Sequence, residues 1–587
     1  MKTRLVNENF KNDYVNNLLR ARGVKDTQTY RTPTIDCLQD PNYLENIHTA
    51  ASLLRQTLEA NKRILIVVDC DVDGYTSSAI MYSYLKDLAP TAEIDYILHE
   101  GKQHGLQDHI HNLMNNNIEY GLIILPDSSS NDYNYHELLK EIDTPVLVLD
   151  HHITDEKISD NAVIVNNQLS PRYNNKELTG AGVVYQFCRY LDNYFQNPNT
   201  NANKYMDLAA VGIIGDMGSM LELENRYIAC EGLKTINNKF IEALMEKQAY
   251  SITGAMGSTR QDIIDALNPI SVAFYIVPLV NAMIRVGTMA EKTRLFEAFL
   301  DGDKMIPSGK RGAKGTLDKA GVEAARECGN ARNRQNKLLD EAIFKMEVKI
   351  LNNNLLDNKI LFCRLEEEDD FPSELNGLLA MKLSAQYKKP TIVARKCADG
   401  INKGSMRGLN QSELRSFKEF LEGSGLFTLV AGHDNAAGAQ IPDKNLSAFH
   451  EYANQELANI DFGENCYDVN FERIAADEDL KDIIVDIGEH KGIWGQRNDE
   501  PLIHISDINI TMSDVKVMGK NMDTVKIEKF GISYMKFRAK DLIEELKKYP
   551  SMKLEVVGRA NLNYWGGNVI PQIFIEDIEV RDNRYGF

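Results

Sequence analysis

Several things that would fix a protein's class at once are missing or scarce in this sequence. Its eight cysteines are scattered without one CxxC pair, so neither a disulfide framework nor a zinc ribbon is expected, and a reducing cytoplasm suits the chain. No apolar h-region follows the opening MKTRLVNENFKNDYV, so no secretory signal is expected. The most apolar later run, Val272 to Val286, is interrupted by Pro278, Asn281 and Arg285 and reads as too short and too polar to span a bilayer. No repeat of fixed period and no long low-complexity tract occurs. Positive charge is in deficit, 66 Lys and Arg against 85 Asp and Glu for a net charge of −19. That excludes a protein that coats nucleic acid with a uniformly basic surface, but not one that threads a strand through a local channel lined with metal ions.

What is present is ordinary globular composition, 43% hydrophobic and 26% charged over 587 residues, enough for roughly three or four domains, each with its own core. The informative stretch is ILIVVDCDVDGYTSSAI, Ile64 to Ile80. An apolar, β-branched run gives way to carboxylates at alternate positions, Asp69, Asp71 and Asp73, then Gly74 and a helix-like segment. The pattern predicts a buried parallel strand ending in a loop. Carboxylates crowded there repel one another unless a multivalent cation lies between them. Taken alone, a solvated acidic turn explains the loop equally well.

Further apolar runs follow at Ile94 to Ile97, Leu122 to Leu125, Val146 to Leu149 and Val163 to Val165, separated by helical patterns. The alternation predicts βαβ units and a parallel sheet covered by helices on both faces. In such sheets ligands bind beyond the carboxyl ends of the strands. Asp127 comes just after the Leu122 run, Asp150, His151 and His152 just after the Val146 run, and Asp216 lies in a Gly-flanked break after an apolar helical stretch. One such Asp is usually a helix cap and a His pair is more often structural; together they predict a carboxylate-rich site with one or two imidazoles. Mixed oxygen and nitrogen donors suit Mn²⁺, Mg²⁺ or Zn²⁺, and the oxygen excess favours Mn²⁺, with Mg²⁺ next. This many donors predicts two ions sharing a carboxylate, a device for in-line displacement at phosphorus. The reaction class is hydrolysis of a phosphate ester or anhydride.

DCDVDG, PDSSS, LDHH and GDMGS, in that order, resemble the four motifs of the DHH phosphoesterase superfamily. LTGAGVVYQF, DLAAVGIIGDM, NRYIACEGL, PLVNAMIR, NKGSMRG, AGHDNAAG and GIWGQRNDEPL resemble, again in order, segments of RecJ-type single-strand-specific 5′ to 3′ DNA exonucleases. The resemblance runs from about Ile47 onward. It implies one metal held by Asp69, Asp71 and Asp127 and a second by Asp73, Asp127, His151 and Asp216, with Asp127 as the bridge. Asp150 is then expected to orient a histidine, and His152 to face the scissile phosphate. Arg285 matches an arginine used near the substrate phosphates, although Leu279 and Ile284 replace the usual arginine and glycine of that segment.

In NKGSMRG, Ser405 and Arg407 fall on one face if the segment is extended, a hydroxyl beside a guanidinium for an anionic phosphate. AGHDNAAG resembles the GGHxxAAG signature of the domain that follows DHH, with Ala431 in place of the first glycine; Gly432 permits close approach and His433 reaches the substrate. In the family a 5′-phosphate pocket also uses an arginine of the first domain. Here the matching LHEGKQHGL has His99 at about that place and His104 for an aromatic, leaving Lys102 as a charge without a bidentate fork. Short strand-like runs after Cys466, among them Ile483 to Ile487, Leu502 to Ile505, Leu554 to Val557 and Ile573 to Ile578, predict a small barrel, which the resemblance names an OB-fold. Of the two tryptophans, Trp494 within GIWGQ is expected to be structural, while Tyr564 and Trp565 are the candidates for stacking on bases.

The expected architecture is α/β: a DHH-type parallel-sheet catalytic domain with an N-terminal extension over 1–300, a linking helix over 301–348, a second α/β, DHHA1-like domain over 349–462, and an OB-like β-barrel over 463–587. The expected function is metal-dependent 5′ to 3′ hydrolysis of single-stranded DNA to 5′-mononucleotides, by a cytoplasmic monomer that touches no membrane and works beside replication or recombination proteins. Two other readings stand beside it. A DHH phosphodiesterase acting on oligoribonucleotides or cyclic dinucleotides has the same motifs but needs neither this length nor an OB-like region. A noncatalytic binding subunit would have lost metal positions, and all are filled here.

Overall fold

A computed structural model of the chain describes residues 1–587 apart from 116–117, 156, 314, 367–368, 566–567 and 584–587. It forms two compact units. The first comprises Asp26–Gln335 and Gly492–Asp499; the second comprises Met1–Lys25, Asn336–Lys491 and Glu500–Phe587.

The first unit is built on five strands, β1 (Ile64–Val68), β2 (Ile94–Leu98), β3 (Leu122–Pro126), β4 (Val146–Asp150) and β5 (Ala162–Asn166). All neighbours are parallel and the order is β2-β1-β3-β4-β5. β1, β3 and β4 are buried along their whole length, which is why they read as unbroken apolar runs. Chain order reverses between β1 and β3, so a crevice opens beyond their carboxyl ends. Helix α1 (Val72–Leu88) leaves β1 directly and packs on α2 (Gly180–Phe195) and α3 (Met206–Gly215). α3 is buried on every side from Met206 to Ile214, a core helix rather than an amphipathic one.

The apolar run near Val272 is longer than the sequence suggests. Its helix reaches back to Pro269 through a π-helical turn at Val272–Ile276, giving 18 residues of mean hydropathy 1.6. By length and composition that segment can cross a bilayer; 56% of it is buried inside the unit, as in a core helix.

The expected linking helix begins later than 301. A hairpin of Met305–Pro307 with Leu317–Lys319 comes first, and the helix then runs for 33 residues, Ala320–Asn352, carrying the chain from the first unit into the second. Among the described residues several of its basic side chains are matched by acids, Arg326 by Glu323, Arg334 by Glu291 and Lys337 by Glu341 among them, as on a structural helix.

The second unit contains a five-stranded mixed sheet with Thr391–Lys396 and Ile401–Arg407 at its centre, and a seven-stranded sheet dominated by the long antiparallel pair Ser551–Trp565 and Asn568–Asp582. Leu502 to Ile505, Leu554 to Val557 and Ile573 to Ile578 lie in its strands. Ile483 to Ile487 does not: it belongs to a helix, Leu480–Glu489, that buries Leu480, Ile483, Ile484 and Ile487 at helical spacing. The first residues of the chain belong to this unit rather than to the parallel-sheet unit, because Lys2–Leu5 pairs in parallel with Cys466–Val469.

Candidate active site

The three carboxylates after β1 are held in three different ways. Asp69 is buried, its Oδ2 lying 2.6 Å from Nδ1 of His104, while its Oδ1 accepts no hydrogen bond among the described residues. Asp71 caps α1, its Oδ1 accepting the Gly74 N–H at 3.0 Å, the ordinary work of an N-cap carboxylate. Asp73 is fully buried. Its Oδ2 accepts the Gly180 N–H at 2.7 Å, and its Oδ1 accepts the Thr179 hydroxyl at 3.0 Å and the Ala181 N–H at 3.1 Å, all at the N-terminus of α2. A negative charge is stabilised at that helix end.

Asp127 follows β3 with φ +66°, a left-handed conformation that Asp and Asn tolerate better than most residues. Its Oδ1 is buried, lies 3.2 Å from Nε2 of His151, and yet accepts no hydrogen bond among the described residues. A Cβ on Gly180 would collide with this carboxylate, so the residue that opens α2 has to be glycine. Nε2 of His151 is also 3.5 Å from Oδ2 of Asp216, the residue that ends α3. One ligand atom each from Asp69, Asp71 and Asp127 lie within 4.8 Å of one another, and so do those of Asp73, His151 and Asp216.

Asp150 is buried and committed to hydrogen bonds. Its Oδ2 accepts the Ser130 N–H at 3.0 Å; its Oδ1 accepts the His151 N–H at 2.7 Å and faces Nδ1 of His152 at 2.8 Å. Asp150 therefore fixes the ring of His152, whose side chain is half exposed. Asn166 at the end of β5 holds the same turn, donating to the Ser130 hydroxyl and to the His152 carbonyl.

Burial, and then the neighbouring carboxylates, push Asp127 well above the usual carboxylate range, Asp216 up to about 8 and Asp73 up to about 7. Burial and His152 push the His151 imidazole down to about 4, leaving it neutral and able to offer a lone pair to a metal. For His152, burial lowers the value, but the Asp150 hydrogen bond and the surrounding carboxylates outweigh it and carry the ring up to about 9. A buried acid cluster with orphaned oxygens at Asp69 and Asp127 lacks positive charge at its centre, so the donor set fits divalent cations.

Arg285 lies in the last turn of the Val277–Val286 helix; burial lowers its guanidinium, and Asp71 is the main opposing charge. Lys102 is exposed. His99 is not at a surface where it could meet a phosphate: it is 3% exposed, and burial pushes it down to about 3. Ser405, Arg407, Gly432 and His433 all lie in the second unit. Ser405 and Arg407 share a face of the Ile401–Arg407 strand opposite the buried Met406. Gly432 has φ +136°, and a Cβ there would fall 2.8 Å from the Ala436 carbonyl oxygen; His433 is exposed at the end of the same strand, Leu429–His433. Tyr564 is 68% exposed near the tip of the long hairpin, while the side chain of Trp565 lies outside the described residues.

Sequence reasoning assigned no role to Thr179, Gly180 or Ala181, nor to the loop supports. Residues 492–499 belong to the first unit, and Trp494 there is wholly buried. The Met220 N–H donates to the Gln496 carbonyl at 2.9 Å and Arg497 pairs with Glu177 at 3.0 Å. This peptide thus braces both the loop after Asp216 and the loop before Thr179. Trp494→Ala is expected to cost about 3–5 kcal/mol by opening a cavity, and to lower metal-dependent activity with it. Calorimetry showing an unchanged transition would refute the bracing role.

The DHH family N-terminal domain matches residues 63–213 and the RecJ OB domain matches residues 476–577. The SPbeta prophage-derived YorK of Bacillus subtilis (strain 168), named as a single-strand DNA-specific exonuclease, is 34% identical over 589 residues, covering 99% of this chain and 98% of its own. The single-stranded-DNA-specific exonuclease RecJ of Haemophilus influenzae is 24% identical, covering 96% of each. The fold matches that of RecJ from Thermus thermophilus, solved in complex with Mn²⁺, at a TM-score of 0.69 and 20% identity over 98% of this chain and 79% of that one. With 34% identity maintained from end to end, the chain belongs to the RecJ-type family of single-strand-specific exonucleases within the DHH superfamily.

Proposed function

We propose that this protein is a metal-dependent exonuclease that hydrolyses single-stranded DNA from the 5′ end to 5′-mononucleotides. The observation that carries the reading is the pair of donor clusters, Asp69 with Asp71 and Asp127, and Asp73 with His151 and Asp216, linked by the 3.2 Å approach of His151 Nε2 to Asp127 Oδ1, in a chain whose 34%-identical relative is named as a single-strand DNA-specific exonuclease.

Asp69, Asp71 and Asp127 would hold one Mn²⁺ or Mg²⁺ ion, and Asp73, Asp127, His151 and Asp216 the other. Such a pair supplies hydroxide at neutral pH and charge neutralisation at the scissile phosphate. Around it, the chain orients and donates. Thr179, Gly180 and Ala181 fix Asp73 in one rotamer, so its carboxylate is placed before any ligand arrives. Asp150 takes the Nδ1 proton of His152 in a hydrogen bond, which turns Nε2 outward as a proton donor to a nonbridging phosphate oxygen. Arg285 and Lys102 add positive charge in the first unit, and within the second unit Ser405, Arg407, Gly432 and His433 offer donors for an anionic phosphate. Tyr564 provides a face for bases, a contact that does not read sequence. Residues 349–462 serve as the second domain and the barrel after 463 as the strand-binding one, in a monomer that works with replication or recombination proteins in the cytoplasm.

The test is a panel of end-labelled single-stranded DNA, duplex DNA, a dinucleotide and a cyclic dinucleotide, each with Mn²⁺ and with chelator. Mononucleotides are expected from the single strand alone, with the 5′ label released first and nothing in chelator. Equal loss of 5′ and 3′ labels would remove the polarity; faster turnover of the small substrates would replace the DNA reading.

A further inference from the structure

One cluster shares Asp69 with the proposed catalytic site and adds two side chains, Cys70 and His104, that take no part in these steps. Asp69, Cys70 and His104 each offer a ligand atom, and these atoms lie within 4.8 Å of one another. Cys70 is 8% exposed, with its thiol 3.8 Å from both ring nitrogens of His104, whose side chain is half exposed. For a tetrahedral ion with Zn–S of about 2.3 Å and Zn–N of about 2.0–2.1 Å, sulfur and nitrogen stand roughly 3.6 Å apart. The observed separation is close to that value, but a sulfur equidistant from both nitrogens lies on neither lone pair, so the ring has to turn to share an ion with it. Asp69, which the proposed catalytic site also uses, is 1% exposed and its Oδ1 has no partner among the described residues. The ring of His104, open on one side, has to give up its 2.6 Å contact with Asp69 for both to serve one ion.

The chemistry of this donor set differs from that of its neighbours. A thiolate with an imidazole selects borderline and soft cations such as Zn²⁺, Co²⁺ and Cd²⁺, whereas the all-oxygen cluster of Asp69, Asp71 and Asp127 suits Mn²⁺ and Mg²⁺. We propose that Asp69, Cys70 and His104 form a thiophilic cation site that takes Zn²⁺ and inhibits the enzyme, because Asp69 serves both this site and the catalytic one. On binding, the Cys70 S–H bond breaks, its proton goes to water and a sulfur–metal bond forms; no electron changes hands. Inhibition rests on the proposed nuclease activity; binding does not.

The experiment has two readouts on the full-length chain after removal of bound metal. Titration with Cd²⁺ is expected to produce an ultraviolet thiolate-to-metal charge-transfer band that is lost in Cys70→Ser, weakened in His104→Gln and kept in Cys230→Ser, whose half-buried thiol lies outside the cluster. In the nuclease assay with Mn²⁺, Zn²⁺ is expected to inhibit the parent, and Cys70→Ser to need at least about tenfold more of it while its activity without Zn²⁺ is unchanged. A band that persists in Cys70→Ser, or equal Zn²⁺ sensitivity of the two proteins, overturns the site. A parent that shows the band but cleaves no DNA with Mn²⁺ supports the site and overturns the nuclease reading.

Discussion

Asp127→Asn is expected to abolish Mn²⁺-dependent hydrolysis of single-stranded DNA while leaving the metal-free protein at least as stable as its parent. Asparagine accepts the left-handed backbone of this position as readily as aspartate, so the variant tests charge rather than conformation. Asp127 is the carboxylate that both proposed ions require. Removing its charge deprives each ion of a ligand at once, and charge stabilisation at a phosphoryl centre is worth several kcal/mol, which at about 1.4 kcal/mol per decade gives a loss of at least about a thousandfold. Stability should move the other way. The Asp127 carboxyl is buried among Asp73, Asp71, Asp69 and Asp216, and burial first, then those charges, push it well above its usual range; its Oδ1 accepts no hydrogen bond among the described residues. A neutral amide there relieves repulsion and keeps an oxygen for the 3.2 Å approach of His151 Nε2. A variant that retained a tenth of the parental rate, or that melted well below the parent in chelator, would show Asp127 to be a structural acid instead.

Asp127 was legible in the sequence for the reason that makes it effective. A strand buried on both faces has to be apolar from end to end, so the residue at which it becomes polar marks the sheet edge where a ligand can sit. β1, β3 and β4 each end in this way, at Asp69, Asp127 and Asp150. Supports that come from distant segments gave no local signal. The contact of His104 with Asp69 depends on how the Leu98 to Leu106 loop folds back, and the clamp on Asp73 comes from a helix that starts more than a hundred residues later. The parallel pairing of Lys2–Leu5 with Cys466–Val469 is equally invisible, since neither partner dictates the other. Ile483 to Ile487 misled through composition: its β-branched residues suggest a strand, but Leu480, Ile483, Ile484 and Ile487 are spaced to bury one helical face.

Metal removal is expected to destabilise the protein, and by more as pH rises. Asp73, Asp127 and Asp216 all have values raised by burial first and by like charge next, to about 7 for Asp73 and about 8 for Asp216. In the unfolded chain these groups ionise near the ordinary carboxylate value of about 3.9. Between those limits the metal-free folded protein retains protons that the unfolded chain has released, so the unfolding free energy falls as pH rises. The stabilising effect of the neutral carboxyls is complete below about pH 4 and is lost as pH passes through about 7 to 8. Divalent cations replace those protons as the source of positive charge, and each ion present at a hundred times its dissociation constant adds about 2.7 kcal/mol. Thermal unfolding in chelator should therefore move to lower temperature between about pH 6 and pH 9, and Mn²⁺ should raise it most at the alkaline end, where protons no longer compete for the ligands. If Mn²⁺ shifted the transition equally at both ends, or in Asp127→Asn as much as in the parent, the carboxylates would not be where the metal binds.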